Sequence, residues 1–183
     1  MARRLRVLPS LWLAAGKQLT IEEARVELSQ LMDLYEIQKL KARYFRAMDT
    51  KQWDEFRDVF IDHLEFFVED SVLPQSVLPT WSSADSLVDH LRAADPRKVT
   101  VHHGHMSEVD FVDEDTATGI WAMYDWVDDP ARTWAWQGYG HYHECYVRCP
   151  DRRWRIASVH LTRIRLDALP HGSPGNWIPG AAG

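Results

Sequence analysis

Five of the chain's nine histidines fall in two short windows, Val101-His102-His103-Gly104-His105-Met106 and Gly138-Tyr139-Gly140-His141-Tyr142-His143. Imidazole moves easily between neutral and charged forms near neutral pH, so two such clusters point to proton transfer or metal binding. Side chains two apart on a strand share a face, which groups His103 with His105 and His141 with His143. Two pairs of that kind on neighbouring strands could hold a metal ion as a set of imidazoles, with Glu144 or Asp125 supplying oxygen. The His-x-His spacing arises easily in any sequence, however. The reading carried forward has no metal ligand and no cofactor.

The other chemistry open to these residues is acid–base catalysis without a metal. Asp125 stands inside an otherwise apolar alternating stretch, with Trp121, Met123 and Val127 around it. A carboxylate there is costly to bury unless it is paired, and a neighbouring imidazole is a natural partner. Such a pair fixes the histidine tautomer and stabilises its charged form once it has taken a proton. Tyr44, Tyr142 or Arg163 could then donate a hydrogen bond to a substrate oxygen as negative charge develops on it. Asp49 is informative for a different reason. It falls at the C-terminal end of a predicted helix, where a carboxylate opposes the helix dipole and needs another reason to be there: a turn hydrogen bond, or a catalytic partner whose tautomer it, rather than Asp125, would orient.

The elements that must position these groups follow from periodicity and punctuation. Thr20-Ile21-Glu22-Glu23 reads as a capping box opening a helix to about Met32, which can run on into the next. Ile37, Leu40, Tyr44, Phe45 and Met48 recur at helical spacing, and Trp53, Phe56, Val59 and Phe60 make a second, shorter amphipathic helix. Leu64-Glu65-Phe66-Phe67-Val68 reads as a strand. Ser82 or Ser83 could cap a third helix carrying Leu87, Val88 and Leu91, closed by Asp95-Pro96. From Thr100 onward the chain reads as sheet, with strands over residues 101–112, 116–127, 134–147 and 154–166 and a break near Gly104. Helices followed by long consecutive strands predict an α+β fold, a strongly curved antiparallel sheet wrapped over N-terminal helices.

At this point the pieces match a family. The run from Glu36 through Arg43-Tyr44-Phe45-Arg46-Ala47-Met48-Asp49 comes first, then Trp53-Asp54-Glu55-Phe56 and Thr100-Val101-His102. Gly140-His141-Tyr142, Trp154-Arg155-Ile156 and Leu161-Thr162-Arg163 follow in the same order. Together they resemble the SnoaL-like branch of the nuclear-transport-factor-2-like superfamily, over nearly three quarters of the chain. That resemblance implies a cone-shaped α+β barrel with a deep pocket, and within the superfamily the chain looks most like dehydratases that work without a cofactor.

Carried across by position, the resemblance implies a catalytic set of Tyr44, Asp49, His102, Asp125 and Arg163, with Trp121, His141 and Tyr142 binding substrate. It also implies a dehydratase or isomerase that abstracts a proton next to a carbonyl of a hydrophobic small molecule, such as a steroid, polyketide or acyl thioester. A polyketide cyclase and a non-catalytic binding or assembly domain are the rivals, because the fold hosts many functions. Two features depart from the pattern. The surplus of histidines leaves the choice of base open, and Arg163 has the opposite strand parity to Trp154 and Ile156. Only a bulge could put all three on one face.

Composition sets the remaining limits. With 183 residues and a net charge of −6, the chain is one domain with no basic stripe for nucleic acid. Nine Trp, six Tyr and six Phe can line a cavity, crowd a core or form a subunit interface, and a homo-oligomer, dimer or trimer, is expected. Two cysteines, Cys145 and Cys149, make no disulfide scaffold. Residues 1–19 read as an arm rather than a signal peptide, residues 20–169 as the cone-fold domain, and residues 170–183 as a Pro/Gly-rich tail. No run reaches the ~18 apolar residues of a membrane span, and a cytoplasmic location is expected.

Overall fold

The computed structural model describes residues 20–68, 81–132 and 134–171. The predicted arm, and the tail beyond His171, lie outside the described residues. Helix α1 spans Ile21–Asp49 as one continuous element. The capping box is formed at its start: Glu23 N–H donates to Thr20 Oγ1 at 3.1 Å, and the Glu23 carboxylate accepts from Thr20 N–H at 2.8 Å. Two donors left orphaned by the first turn are thereby satisfied. Its first half projects with Leu28, Leu31, Met32 and Tyr35 exposed, while Ile37, Leu40, Tyr44 and Ala47 are buried.

Between the two halves, Asp33 ties the helix to the sheet. Its carboxylate accepts from Arg148 and, at 3.0 Å, from Trp154 Nε1. Burial alone would raise the Asp33 pKa, but the hydrogen bonds from Arg148 and Trp154 and the Arg148 charge hold it below its ordinary value of 3.8. A depressed carboxylate adds stability above its unfolded pKa and loses it as pH falls through the folded one. Asp33→Asn should therefore cost about 1 kcal/mol at neutral pH. The gap between variant and parent should close below pH 3.8, as urea unfolding across a pH series would show.

Helix α2 covers Trp53–Asp58 and α3 covers Ala84–Arg92, the latter capped by Ser83, whose side chain accepts from Ser86 N–H at 3.2 Å. The strands are β1 Phe60–Val68, β2 Val99–Phe111, β3 Thr116–Asp128, β4 Ala135–Arg148 and β5 Trp154–Leu169. They form one sheet in the order β1-β5-β4-β3-β2. The sheet is mixed rather than wholly antiparallel as the sequence reading had it, because β1 runs parallel to β5 at one edge. The chain leaves β1, passes through α3 and re-enters at β2 on the far edge. The last four strands then return by antiparallel hairpins.

Register slips in β2 and β5 curve this sheet and decide which side chains face in. In β2 the extra residue is Met106, with φ 32°, two residues beyond the break expected near Gly104. Gly104 itself faces inward, where an added Cβ would lie 2.7 Å from the Phe45 ring. In β5, Tyr146 pairs with Ile156 and Cys145 with Ser158, leaving Ala157 as the extra residue. That bulge resolves the parity problem of Arg163. Trp154 and Ile156 face in before it, and Val159, Leu161 and Arg163 face in after it. A second slip in β5, at Ile164, follows directly.

Inside the curve, α1 packs over an aromatic core of Phe56, Phe60, Trp121, Tyr142, Tyr146 and Trp154. Where β5 ends, His171 hydrogen-bonds the Asp128 carboxylate at 2.6 Å and the Arg132 carbonyl at 2.7 Å, fastening that end to the β3–β4 turn. No helix among the described residues is long and apolar enough to cross a membrane.

Candidate active site

Asp49 is the last residue of α1, and β2 supplies the partners that its position calls for. Its Oδ1 accepts from Thr100 Oγ1 at 2.9 Å and meets His102 Nδ1 at 2.6 Å, while Oδ2 accepts from the His102 backbone N–H at 2.8 Å. A carboxylate can only accept, so Nδ1 carries the hydrogen and Nε2 is left as the basic nitrogen. The Phe45 ring lies nearly parallel to the imidazole, 10° between planes and 6.5 Å between centroids. The His102 side chain keeps 12 % of its surface exposed. It is held by Asp49 and Phe45 and still reachable.

Asp125 faces inward on β3, directly opposite His102 in the β2–β3 register. Its partner is nonetheless not an imidazole. Arg163 donates to both of its oxygens, Nη1 to Oδ1 at 3.0 Å and Nη2 to Oδ2 at 2.6 Å, with both side chains under a tenth exposed. The sequence reading left Asp49 and Asp125 as alternative partners for the base; the geometry assigns the histidine to Asp49 and Asp125 to the arginine. Gly138, the β4 partner of Asp125, makes room for this fork. A Cβ there would stand 1.8 Å from Arg163 Nη1 and 2.4 Å from Asp125 Oδ1.

Tyr44 and Tyr142 pack against each other in the buried interior, with ring centroids 6.1 Å apart at 69°. Burial first, and then the charges of Glu144, Asp49 and Asp125, push the Tyr44 phenol well above its usual pKa. Burial, Tyr44 and Asp125 do the same for Tyr142, opposed by Arg163. Both phenols therefore stay protonated near neutral pH. Trp121 also faces inward, but its Nε1–H is committed to Tyr146 Oη at 2.7 Å. Beside the Asp49–Thr100 contact a cleft of about 270 Å³ opens between Met48, Trp53, Leu91, Pro96, Lys98 and Thr100.

His141 does not join this group. It alternates with Gly140 and Tyr142, so it stands on the outer face of the sheet, where its ring meets His143 at 6.2 Å. The reading of His141 as a substrate contact is corrected accordingly. His103 and His105 stack on each other on that same outer face, 6.0 Å apart. Among the described residues no group of three or more His, Cys, Asp or Glu side chains could hold a metal ion.

Sequence reasoning passed over Thr100, Gly138 and above all Lys41, which is fully buried and ion-paired with Glu144. A signal for Lys41 was present: it sits between Leu40 and Tyr44 on the apolar face of α1, where a charge is out of place.

Comparison with known proteins agrees with this architecture. A hexachlorocyclohexane dehydrochlorinase, LinA-type3 from Novosphingobium barchaimii LL02, superposes with a TM-score of 0.69 at 18 % identity, over 84 % of this chain and 99 % of that one. At that identity the likeness speaks for the fold alone. The Kfla4162 protein from Kribbella flavida superposes with a TM-score of 0.64 at 28 % identity, over 75 % of this chain and 95 % of that one. A curated relative from Gibberella zeae, named "Probable cyclase FGR4", is 26 % identical over 134 residues, 70 % of this chain and 89 % of its own length. The model of the SnoaL-like domain matches residues 29–160, a span that runs from the exposed half of α1 to β5 and takes in Tyr44, Asp49, Thr100, His102, Trp121, Asp125 and Tyr142 but not Arg163. With this match added to the mixed curved sheet over its helices, the chain belongs to the SnoaL-like family of the nuclear-transport-factor-2-like superfamily.

Proposed function

We propose that this protein is an acid–base enzyme needing no cofactor, which removes a proton next to a carbonyl of a hydrophobic, oxygenated small molecule and so eliminates water or shifts a double bond. The observation that carries this reading is the hold of Asp49 on His102, which fixes the tautomer with Nε2 as the acceptor. As His102 takes the proton, Asp49 stabilises the imidazolium that forms. Tyr44 and Tyr142 donate toward the carbonyl oxygen as it gains negative charge. Arg163, aligned by Asp125, donates a hydrogen bond to the leaving oxygen, which departs as water with the proton that His102 took up. The test is a screen of hydroxylated steroids, polyketides and acyl thioesters for loss of water by mass spectrometry, with and without chelator, in the parent and in His102→Ala. Turnover that survives chelation and vanishes in the variant supports the reading. Turnover of none of these classes would favour a binding domain.

A second reading, cyclisation of a polyketide by aldol closure, is favoured by the name of the Gibberella zeae relative, a probable cyclase. The same base and donors would serve it, since closure also begins with proton abstraction next to a carbonyl. Product structure separates them: a dehydratase product is lighter by the lost water, whereas a cyclase and an isomerase both conserve mass and differ by the new ring.

The protein is also proposed to be a homo-oligomer. Its outer sheet face carries Tyr124, Tyr139, His103, His105 and His143, and α1 exposes Leu28, Leu31, Met32 and Tyr35. Exposed apolar surface of this kind is typical of association sites. Light scattering at micromolar concentration should give a multiple of the chain mass; a monomer would remove the claim.

A further inference from the structure

Lys41 lies on the buried face of α1 with no exposed surface, ion-paired with Glu144 of β4, which is also buried. The other Glu144 oxygen accepts from Tyr146 Oη, which in turn accepts from Trp121 Nε1. The Lys41 ammonium sits 3.6 Å from the centroid of the Tyr142 ring and 4.1 Å from that of Tyr44, with Phe45 at 4.6 Å. A buried ion pair is a poor device for stability, because desolvating both charges offsets most of their attraction and apolar residues fill the same space as well or better. A cation placed on two tyrosine faces calls for another explanation.

We propose that Lys41 is a positioning residue that tunes Tyr44 and Tyr142: held by Glu144 against both rings, its positive charge makes the two hydroxyls stronger hydrogen-bond donors. A cation over a ring face is drawn to the π-electrons, and the same charge stabilises negative charge arriving at the phenol oxygen. Its surroundings make that charge matter. Glu144 of β4, Asp49 of α1 and Asp125 of β3 all act on Tyr44 with negative charge, and Arg163 of β5 is the opposing cation at Tyr142. Without Lys41, Tyr44 would face three carboxylates, and Tyr142 those of Asp125 and Glu144 opposed by Arg163. Burial, the largest influence, pulls the Lys41 pKa below its ordinary 10.5, although Glu144 raises it, so the ammonium depends on its carboxylate partner. The inference rests on the reading of Tyr44 and Tyr142 as donors to substrate.

Two measurements test it. In the unmodified protein labelled with 15N-lysine, Lys41 Nζ should appear as an ammonium at neutral pH, its protons shifted upfield by the Tyr142 ring. A neutral amine, or an ammonium without ring shift, overturns the proposal, and this readout stands by itself if variants do not fold. In the Lys41→Met, Glu144→Gln double variant both charges are removed at similar volume. The 13Cζ resonances of Tyr44 and Tyr142, assigned with Tyr44→Phe and Tyr142→Phe, should move. On a substrate found by the screen, kcat should fall ~10-fold with KM little changed, a smaller loss than the ~10²–10³-fold of deleting a donor outright. A folded double variant with unmoved tyrosine resonances and parental kcat would show the pair to be structural only. The resonance readouts need no substrate, so they stand apart from the catalytic reading, which falls instead if His102→Ala keeps full activity.

Discussion

His102→Ala should lower kcat by ~10²–10⁴-fold, the range of a positioned general base, while circular dichroism and thermal unfolding stay close to the parent. The fold should tolerate the change because Asp49 keeps two of its three donors, Thr100 Oγ1 and the backbone N–H of residue 102. Asp49→Asn tests the same arrangement from the other side. The amide still offers an oxygen to the backbone N–H but no longer a negative charge, so the tautomer is released and the imidazolium loses its counter-charge. A large fall in kcat with little change in KM is the expected result. Tyr44→Phe should lower kcat by less and affect ligand affinity little, since its hydroxyl acts mainly on charge present in the transition state. Full activity in His102→Ala would exclude this base. The outer-face histidines, His103 and His141, would not inherit its role, because the sheet itself separates them from Asp125 and Tyr142.

That separation shows what the sequence could and could not convey. Strand alternation placed His102 and His103 on opposite faces, but it could not say which face was inner. The unusual position of Asp49 at a helix terminus was the clue that decides it, since its partners Thr100 and His102 have the same parity. Arg163 was legible only conditionally. Its parity depended on a bulge, and nothing in Ala157 or its neighbours announces an extra residue, because bulges of this kind are set by the register of the partner strand rather than by side-chain type. The parallel edge strand β1 was unreadable for a similar reason: periodicity reports faces within a strand, and strand order is a long-range property. Lys41 was hidden by habit of reading, since long cationic side chains at the border of an apolar face usually reach water. Here the side chain is fully enclosed, and Glu144 of β4 meets the charge inside.

The largest expected effect on stability belongs to the fork between Asp125 and Arg163. Arg163→Met would leave Asp125 buried without its cation, and breaking such a pair from one side costs about 3–5 kcal/mol, roughly 6–20 °C in Tm for a chain of this size. Gly138→Ala should approach the same loss without touching either charge, because its Cβ would occupy the place of Arg163 Nη1. Replacing both partners, as in Asp125→Leu with Arg163→Met, distinguishes a structural pair from a working one. Apolar side chains of similar volume often restore the stability that a single break removes, so the double variant should melt nearer the parent than Arg163→Met does. Activity should not follow. If the guanidinium assists the leaving oxygen, the double variant stays at the low kcat of the single one even as its Tm recovers. Recovery of both together would make the fork a structural clamp and place the assistance to the leaving group on the protonated His102 alone.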